Sequence, residues 1–150
     1  MTLSELNLQI GWAVFIGLVA SVEDLRRRQI PNWIPVAAIL GGLAIGFYEH
    51  GMSGLGSSLA GMAAGFAVFL AFYALGAMGG GDVKLMAGFG AVLGWGLIWE
   101  ASLWTAATGG LLALVAAGIG AIRGKSQGRT EAIPYAPAIA AGCWLAILAG

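Results

Sequence analysis

Gly79-Gly80-Gly81-Asp82-Val83-Lys84 places an acid and a base directly behind three glycines, between two long apolar segments. A charge beside a membrane segment costs free energy unless it is paired, hydrated or functional. Three glycines remove side-chain bulk where a backbone must bend or approach another element closely. The stretch therefore predicts a junction between two helices at which Asp82 can meet another part of the chain.

The composition is that of an integral membrane protein. Of the 150 residues, 59% are hydrophobic and only 9% are charged, and the mean hydropathy is +0.89. A soluble domain carries about 25% charged residues. The sequence therefore predicts an all-α, polytopic membrane protein in which residues 1–150 form a single membrane-embedded domain. The formal net charge is zero, so nothing indicates a nucleic-acid partner.

Six apolar segments can be distinguished, and a spanning helix needs about 17–25 residues. The predicted segments are 8–22, 33–48, 55–78, 83–99, 103–122 and 133–149. Residues 1–10 lack the basic residues of a signal peptide, so the first segment is predicted to be a retained helix. Three small-x-x-x-small pairs predict close contacts between helices: Gly42 with Gly46, Gly61 with Gly65, and Gly90 with Gly94.

The basic residues give the expected orientation in the membrane. All seven lie in alternate connections between the segments: Arg26, Arg27, Arg28, Lys84, Arg123, Lys125 and Arg129. The positive-inside rule therefore predicts that the first, third and fifth connections face the cytoplasm, with both termini outside. Most tryptophans then fall near the outer ends of the segments, as in an aromatic belt: Trp12, Trp95, Trp99, Trp104 and Trp144.

This orientation places two acidic residues at one membrane depth. Asp24 follows the first segment at its cytoplasmic side, and Asp82 opens the fourth segment at the same side. A simpler interpretation is also open, in which both are ordinary interfacial charges. Asp24 could pair with Arg27 or Arg28, and Asp82 could cap its helix at the positive end of the helix dipole.

Each acid has a distinctive sequence context. Six residues separate Asp24 from Pro31-Asn32, where Pro31 ends a helix and Asn32 can cap the next one. Asp82 lies in a Gly-x-Gly-Asp-x-Lys stretch, and Ile133-Pro134-Tyr135-Ala136-Pro137 opens the last segment. In this order and spacing the three motifs resemble those of the type IV prepilin peptidases, membrane aspartic proteases with a Gly-x-Gly-Asp motif. The resemblance covers essentially the whole chain.

The resemblance implies a catalytic dyad of Asp24 and Asp82, without a metal or another cofactor. Two carboxyl groups in one site share one proton, so the ionised group can activate water while the protonated group donates to the developing oxyanion. Other motif residues are predicted to bind substrate or shape the site: Gly79, Gly81, Lys84, Pro31, Asn32, Pro134 and Pro137. Lys84 could instead neutralise local charge or contact lipid headgroups.

By resemblance, the substrate is a prepilin or pseudopilin whose leader is cleaved after a glycine at the cytoplasmic face of the inner membrane. Membrane lipid and the pilus or secretion assembly machinery are the other implied partners. Larger bacterial members carry an N-terminal region with Cys-x-x-Cys motifs and N-methyltransferase activity. With Cys143 as its one cysteine, this sequence is expected to lack that region. It resembles the short, peptidase-only form of tight-adherence (Flp) pilus systems, or archaeal preflagellin peptidases.

The alternative from another class is a small ion- or proton-coupled transporter subunit that uses Asp24 and Asp82 as a relay. Transporter sites generally lie near the bilayer midplane between internal repeats. Here the two acids are predicted at one face, and the sequence has no internal repeat, so the peptidase is the favoured prediction.

Overall fold

The computed structural model describes residues 3–124 and 134–150, and within these ranges it contains helices and turns but no strand. The helices are α1 (Leu3–Arg27), α2 (Trp33–Ala74), α3 (Gly80–Ile122) and α4 (Ala136–Ala149). The predicted all-α class is confirmed. By length and composition, α1, α2 and α3 can cross a membrane, and α4 is a shorter apolar helix. Lys125, Arg129 and Ile133 lie outside the described residues.

Two glycines break the long helices α2 and α3. Gly51 has φ 61° and ψ −138°, and Gly94 has φ 71° and ψ −177°. Only glycine adopts such backbone conformations without steric cost. They divide α2 into arms 33–50 and 52–74, and α3 into arms 80–93 and 95–122.

One of the two breaks lies in a predicted connection between apolar segments, and the other does not. The gap predicted between residues 48 and 55 contains Gly51, as expected. The gap predicted around Glu100 was wrong, because α3 is helical through Glu100 and breaks at Gly94 instead. One acidic residue does not end a helix, whereas a left-handed glycine does.

The two arms of α2 lie side by side near Gly51. A Cβ atom on Gly54 would overlap the carbonyl oxygen of Gly46, and the Ser58 hydroxyl donates to the carbonyl oxygen of Gly42 at 3.4 Å. Such distances require backbone-to-backbone contact, which only small residues allow. The arms therefore fold back on each other at the glycine break.

The first arm of α3 packs against both arms of α2. A Cβ atom on Gly42 would lie 2.6 Å from the carbonyl carbon of Ala91, and one on Gly61 would overlap the carbonyl oxygen of Gly90. Residues 85–94 are all buried, which makes this arm the centre of the core. The helix contacts predicted from the glycine pairs are confirmed.

The remaining helices complete the bundle. α4 packs on the second arm of α3, where a Cβ atom on Gly142 would overlap the Thr105 hydroxyl. The Trp144 indole donates to the carbonyl oxygen of Ala13 in α1 at 3.2 Å. Near the break in α3, the Gln9 amide of α1 donates to the carbonyl oxygen of Val92 at 2.7 Å. Polar side chains of α1 and α4 thus anchor these helices to backbone groups of their neighbours.

Gly51→Ala is expected to destabilise the protein by about 1–3 kcal/mol, because alanine is strained at positive φ. A Cβ atom there would meet no atom within 4 Å, so the cost is purely conformational. Gly56→Ala is the matched control, since Gly56 is helical and equally open. It should stabilise by about 0.5–1 kcal/mol. Detergent-induced unfolding followed by tryptophan fluorescence measures both, and equal effects would contradict a special role of Gly51.

Candidate active site

Asp24 is held between the ends of two helices. It lies in the last turn of α1, where the carbonyl end of the helix dipole disfavours a negative charge. Ala136, the first residue of α4, donates its backbone N–H to Asp24 Oδ2 at 3.0 Å. The positive end of α4 therefore faces the Asp24 carboxylate, which is only 6% exposed.

Asp82 occupies the third position of α3 and is 8% exposed. The Gly79 N–H donates to Asp82 Oδ2 at 3.2 Å, and the Asp82 N–H donates to the Gly79 carbonyl oxygen at 3.2 Å. This reciprocal pair satisfies donors of the first helical turn. The alternative in which Asp82 is itself the N-cap was wrong, because Gly79 is the N-cap and Asp82 is its partner at the third helical position.

The turn before α3 differs from the bend expected at the three glycines. Gly79 has an extended backbone, with φ −81° and ψ 158°, while Gly80 and Gly81 already belong to α3. The positive φ of this turn is at Gly76, with φ 76°. Gly81 serves close approach, because a Cβ atom there would lie 3.4 Å from Ile30 Cβ in the turn between α1 and α2.

Both aspartates line one cavity of about 510 Å³. The cavity is bounded by the end of α1, the two turns at 28–32 and 75–79, and the approach to α4. Five of the other predicted site residues also line it: Asn32, Gly79, Gly81, Lys84 and Pro134.

Two predicted residues lie beside this cavity without lining it. The carbonyl oxygen of Pro31 accepts from Ile34 N–H at 3.2 Å, at the start of α2. Pro137 stands in the first turn of α4, where proline is tolerated because it has no N–H to leave unpaired. Both residues shape the helix starts that surround the cavity.

Asn32 does not cap α2 through its side chain, so that prediction was wrong. It stands at the N-cap position, but with φ −62° and ψ −22° its backbone is helical, whereas a capping side chain requires an extended backbone. Its Oδ1 instead accepts from Lys84 Nζ at 3.1 Å. Lys84 thereby joins the second turn of α3 to the turn between α1 and α2.

Sequence reasoning missed several contributors to the site. The Ala136 N–H is a backbone donor that no side chain reveals, although the first N–H groups of any helix lack helical partners. Arg28 lines the cavity with a positive φ of 53°. Tyr135 also lines it. Arg27 pairs with Glu23 at 3.3 Å, so its ion pair is with the neighbouring acid and not with Asp24.

Nothing in the described ranges provides a metal centre. Among residues 3–124 and 134–150, no group of three or more His, Cys, Asp or Glu side chains could hold a metal ion. The functional groups that line the cavity include the two carboxyl groups, the Lys84 ammonium, the Arg28 guanidinium and the Tyr135 hydroxyl.

Fold and site together define a class, that of apolar helical membrane proteins in which two buried carboxyl groups share a cavity. The chain belongs to the Type IV leader peptidase family, whose family model matches residues 12–122. The matched range contains α1 from its third turn, both arms of α2 and α3, and both aspartates. The family predicted from the three motifs is confirmed.

The chain is similar to curated proteins named prepilin leader peptidase/N-methyltransferase. It is 37% identical to the one from Bacillus subtilis (strain 168), over 91% of this chain and 54% of that protein. It is 28% identical to the one from Aeromonas hydrophila, over 97% of this chain and 53% of that protein. The chain thus spans about half the length of the curated relatives it matches. No solved structure matches it.

Proposed function

We propose that this protein is a membrane aspartic endopeptidase that removes the leader peptide from prepilins or pseudopilins. Family membership and the names of the curated relatives support leader cleavage. The observation that carries the aspartic mechanism is the cavity shared by Asp24 and Asp82. Two carboxyl groups that share one site are the arrangement by which aspartic proteases activate water.

In the proposed mechanism the pair holds one proton between its two carboxyl groups. The ionised group takes a proton from a water molecule, which attacks the scissile carbonyl carbon. The protonated group donates to the carbonyl oxygen, and no covalent intermediate with the protein forms. The tetrahedral intermediate then collapses: the carboxyl group that took the proton of water gives it to the leaving nitrogen, a hydroxyl of the intermediate returns a proton to the other carboxylate, and the C–N bond breaks to give a carboxylic acid and an amine. Because the proton is shared, the acid and base roles belong to the pair of Asp24 and Asp82.

The backbone supports this chemistry by fixing both carboxyl groups before substrate binds. Asp24 is oriented by the Ala136 N–H and Asp82 by the Gly79 N–H. Each bond engages one oxygen of a carboxyl group and restricts rotation of that group. Preorganised groups of this kind need no reorganisation in the transition state.

The proposed topology has six membrane crossings, made by α1, the two arms of α2, the two arms of α3, and α4. The breaks at Gly51 and Gly94 support it, because they turn two long helices into pairs of antiparallel arms. The basic residues Arg26, Arg27, Arg28 and Lys84 lie around the end of the bundle that carries the aspartates. The positive-inside rule puts this end at the cytoplasmic face of the inner membrane.

This location suits a substrate whose leader remains in the cytoplasm while its following segment lies in the membrane. The proposed cut follows a glycine at that boundary, and the product passes to the pilus or secretion machinery. Membrane lipid surrounds the apolar outer faces of the helices.

Incubation of the purified protein with a prepilin in detergent tests the proposal. Mass spectrometry should find two products, of which the leader peptide ends in a glycine. The cleavage rate should fall at both low and high pH, because the pair of carboxyl groups must hold one proton. EDTA should leave the rate unchanged, since carboxyl groups make both proton transfers. An intact prepilin after incubation with folded protein would refute the peptidase activity and leave the transporter alternative standing.

A further inference from the structure

A second concavity, here called the apolar groove, lies between the two arms of α2. Its walls are Val36 and Ile39 from the first arm and Ala63 and Phe66 from the second, and Ala87 of α3 forms its floor. Its volume is about 410 Å³, and the residues around it are almost entirely apolar. Val36 is 51% and Phe66 43% exposed, so the described chain leaves these walls uncovered.

The groove arises from the way the arms of α2 separate. They touch where Gly54 meets the Gly46 carbonyl, close to the break at Gly51. Towards the aspartates the first arm of α3 lies between them, with Gly88 against Ala38 on one side and Gly65 against the Met86 carbonyl on the other. The first arm of α3 thus separates the two arms of α2 on this side, and Gly88 and Gly65 let it approach each of them closely.

The groove and the cavity of the aspartates adjoin each other. Asn32 and Lys84 line both, and their hydrogen bond of 3.1 Å marks the boundary. Ala87 follows Asp82 by five residues, a rise of about 7.5 Å along the helix. An extended chain covers that distance in about two or three residues.

We propose that the apolar groove binds the hydrophobic helix that follows the scissile bond of the substrate. This inference rests on the proposed function, and it adds where the membrane-embedded part of the substrate docks. The polar leader segment would remain in the cavity beside Arg28 and Lys84. The next residues would pass the Lys84–Asn32 bond and enter the groove as a helix.

The chemistry of the groove favours a helix over a polar peptide. Ala63 and Ala87 are small, and small residues let a second helix approach closely within a membrane. Lys84 at the mouth is the one charged residue among the groove's lining residues, so the interior offers no partner to a polar chain. Continuity with the cavity favours the substrate helix over an unrelated lipid chain or a second copy of this protein.

Cysteine cross-linking in membranes tests this docking site. Ala63→Cys places a thiol in the groove, and Ala107→Cys is the matched control, an exposed alanine on the second arm of α3 outside groove and cavity. Native Cys143 is fully buried and does not compete. The probe is a prepilin with one cysteine in the second turn of its hydrophobic segment, and leader cleavage is measured in the same membranes.

The Ala63→Cys protein should form at least five times more mixed disulfide with the prepilin than the Ala107→Cys protein. In parallel, Ala63→Trp should lower kcat/KM for prepilin cleavage at least tenfold, and Ala107→Trp should leave it near wild type. Equal cross-linking at both positions, with cleavage intact, would refute docking of the substrate helix in the groove and would leave the proposed function unaffected. So would a disulfide joining two copies through Cys at position 63. Absence of cleavage by the wild-type protein would overturn both.

Discussion

Asp24→Asn and Asp82→Asn are each expected to reduce leader cleavage by at least about 10³-fold, because either change removes one partner of the proton transfer. Asparagine keeps the size of the side chain, and its carbonyl oxygen can still accept from Ala136 or Gly79. The free energy of unfolding should therefore change by no more than about 1 kcal/mol. Cleavage is followed by the mobility shift of prepilin, and stability by tryptophan fluorescence.

Glu23→Gln is the control that distinguishes loss of a dyad carboxyl group from loss of any nearby negative charge. Glu23 is the preceding residue on the same turn of α1, and its ion pair with Arg27 is at the surface. Surface pairs contribute about 0–1 kcal/mol, so this variant should fold and cleave like the wild type. Full processing by either aspartate variant would refute the dyad, and the loss of activity in all three would point to a general effect of charge.

Gly61→Ala is expected to destabilise the fold strongly for a single added methyl group, costing about 3 kcal/mol of unfolding free energy. The new Cβ atom would overlap the Gly90 carbonyl oxygen and lie 2.6 Å from the carbonyl carbon of Gly94. Both neighbours are backbone atoms of a buried arm, so no side chain can rotate away. The second arm of α2 must move off α3 to admit it.

Gly118→Ala provides the comparison, because a Cβ atom at Gly118 would meet nothing within 4 Å. It should be neutral or slightly stabilising, since alanine favours helix by up to about 1 kcal/mol over glycine. Denaturation of both variants in detergent gives the difference directly. A Gly61→Ala protein as stable as wild type would show that α2 and α3 do not approach at this point.

The sequence predicted the helices well and their breaks only in part. Apolar runs and glycine pairs are signals of membrane helices, and the contact of Gly61 with Gly90 follows from them. The break at Gly94 was missed because the same residue also belongs to a small-x-x-x-small pair. Composition does not distinguish a glycine that allows packing from one that adopts a positive φ. The break was predicted at Glu100 because a charged residue interrupts the apolar run there, but the helix continues through it.

At the site, charge distribution and motif spacing predicted that Asp24 and Asp82 lie near each other, and the structure has both in one cavity. The hydrogen bonds around them were beyond prediction for a physical reason. The donors of Gly79 and Ala136 are backbone groups, which every residue but proline possesses, so they leave no trace in the sequence. The Lys84–Asn32 hydrogen bond joins residues 52 positions apart in the sequence. It was not predicted, because the local capping preference of asparagine favoured a bond from Asn32 to the start of α2.

The bond from the first residue of α4 to Asp24 has a consequence for biogenesis. A ribosome makes α4 after every other described helix, so a growing chain acquires both aspartates well before the donor that orients one of them. On the proposed mechanism, the Asp24 carboxyl group of such a chain still lacks the donor that fixes it, and it gains that donor only when α4 docks.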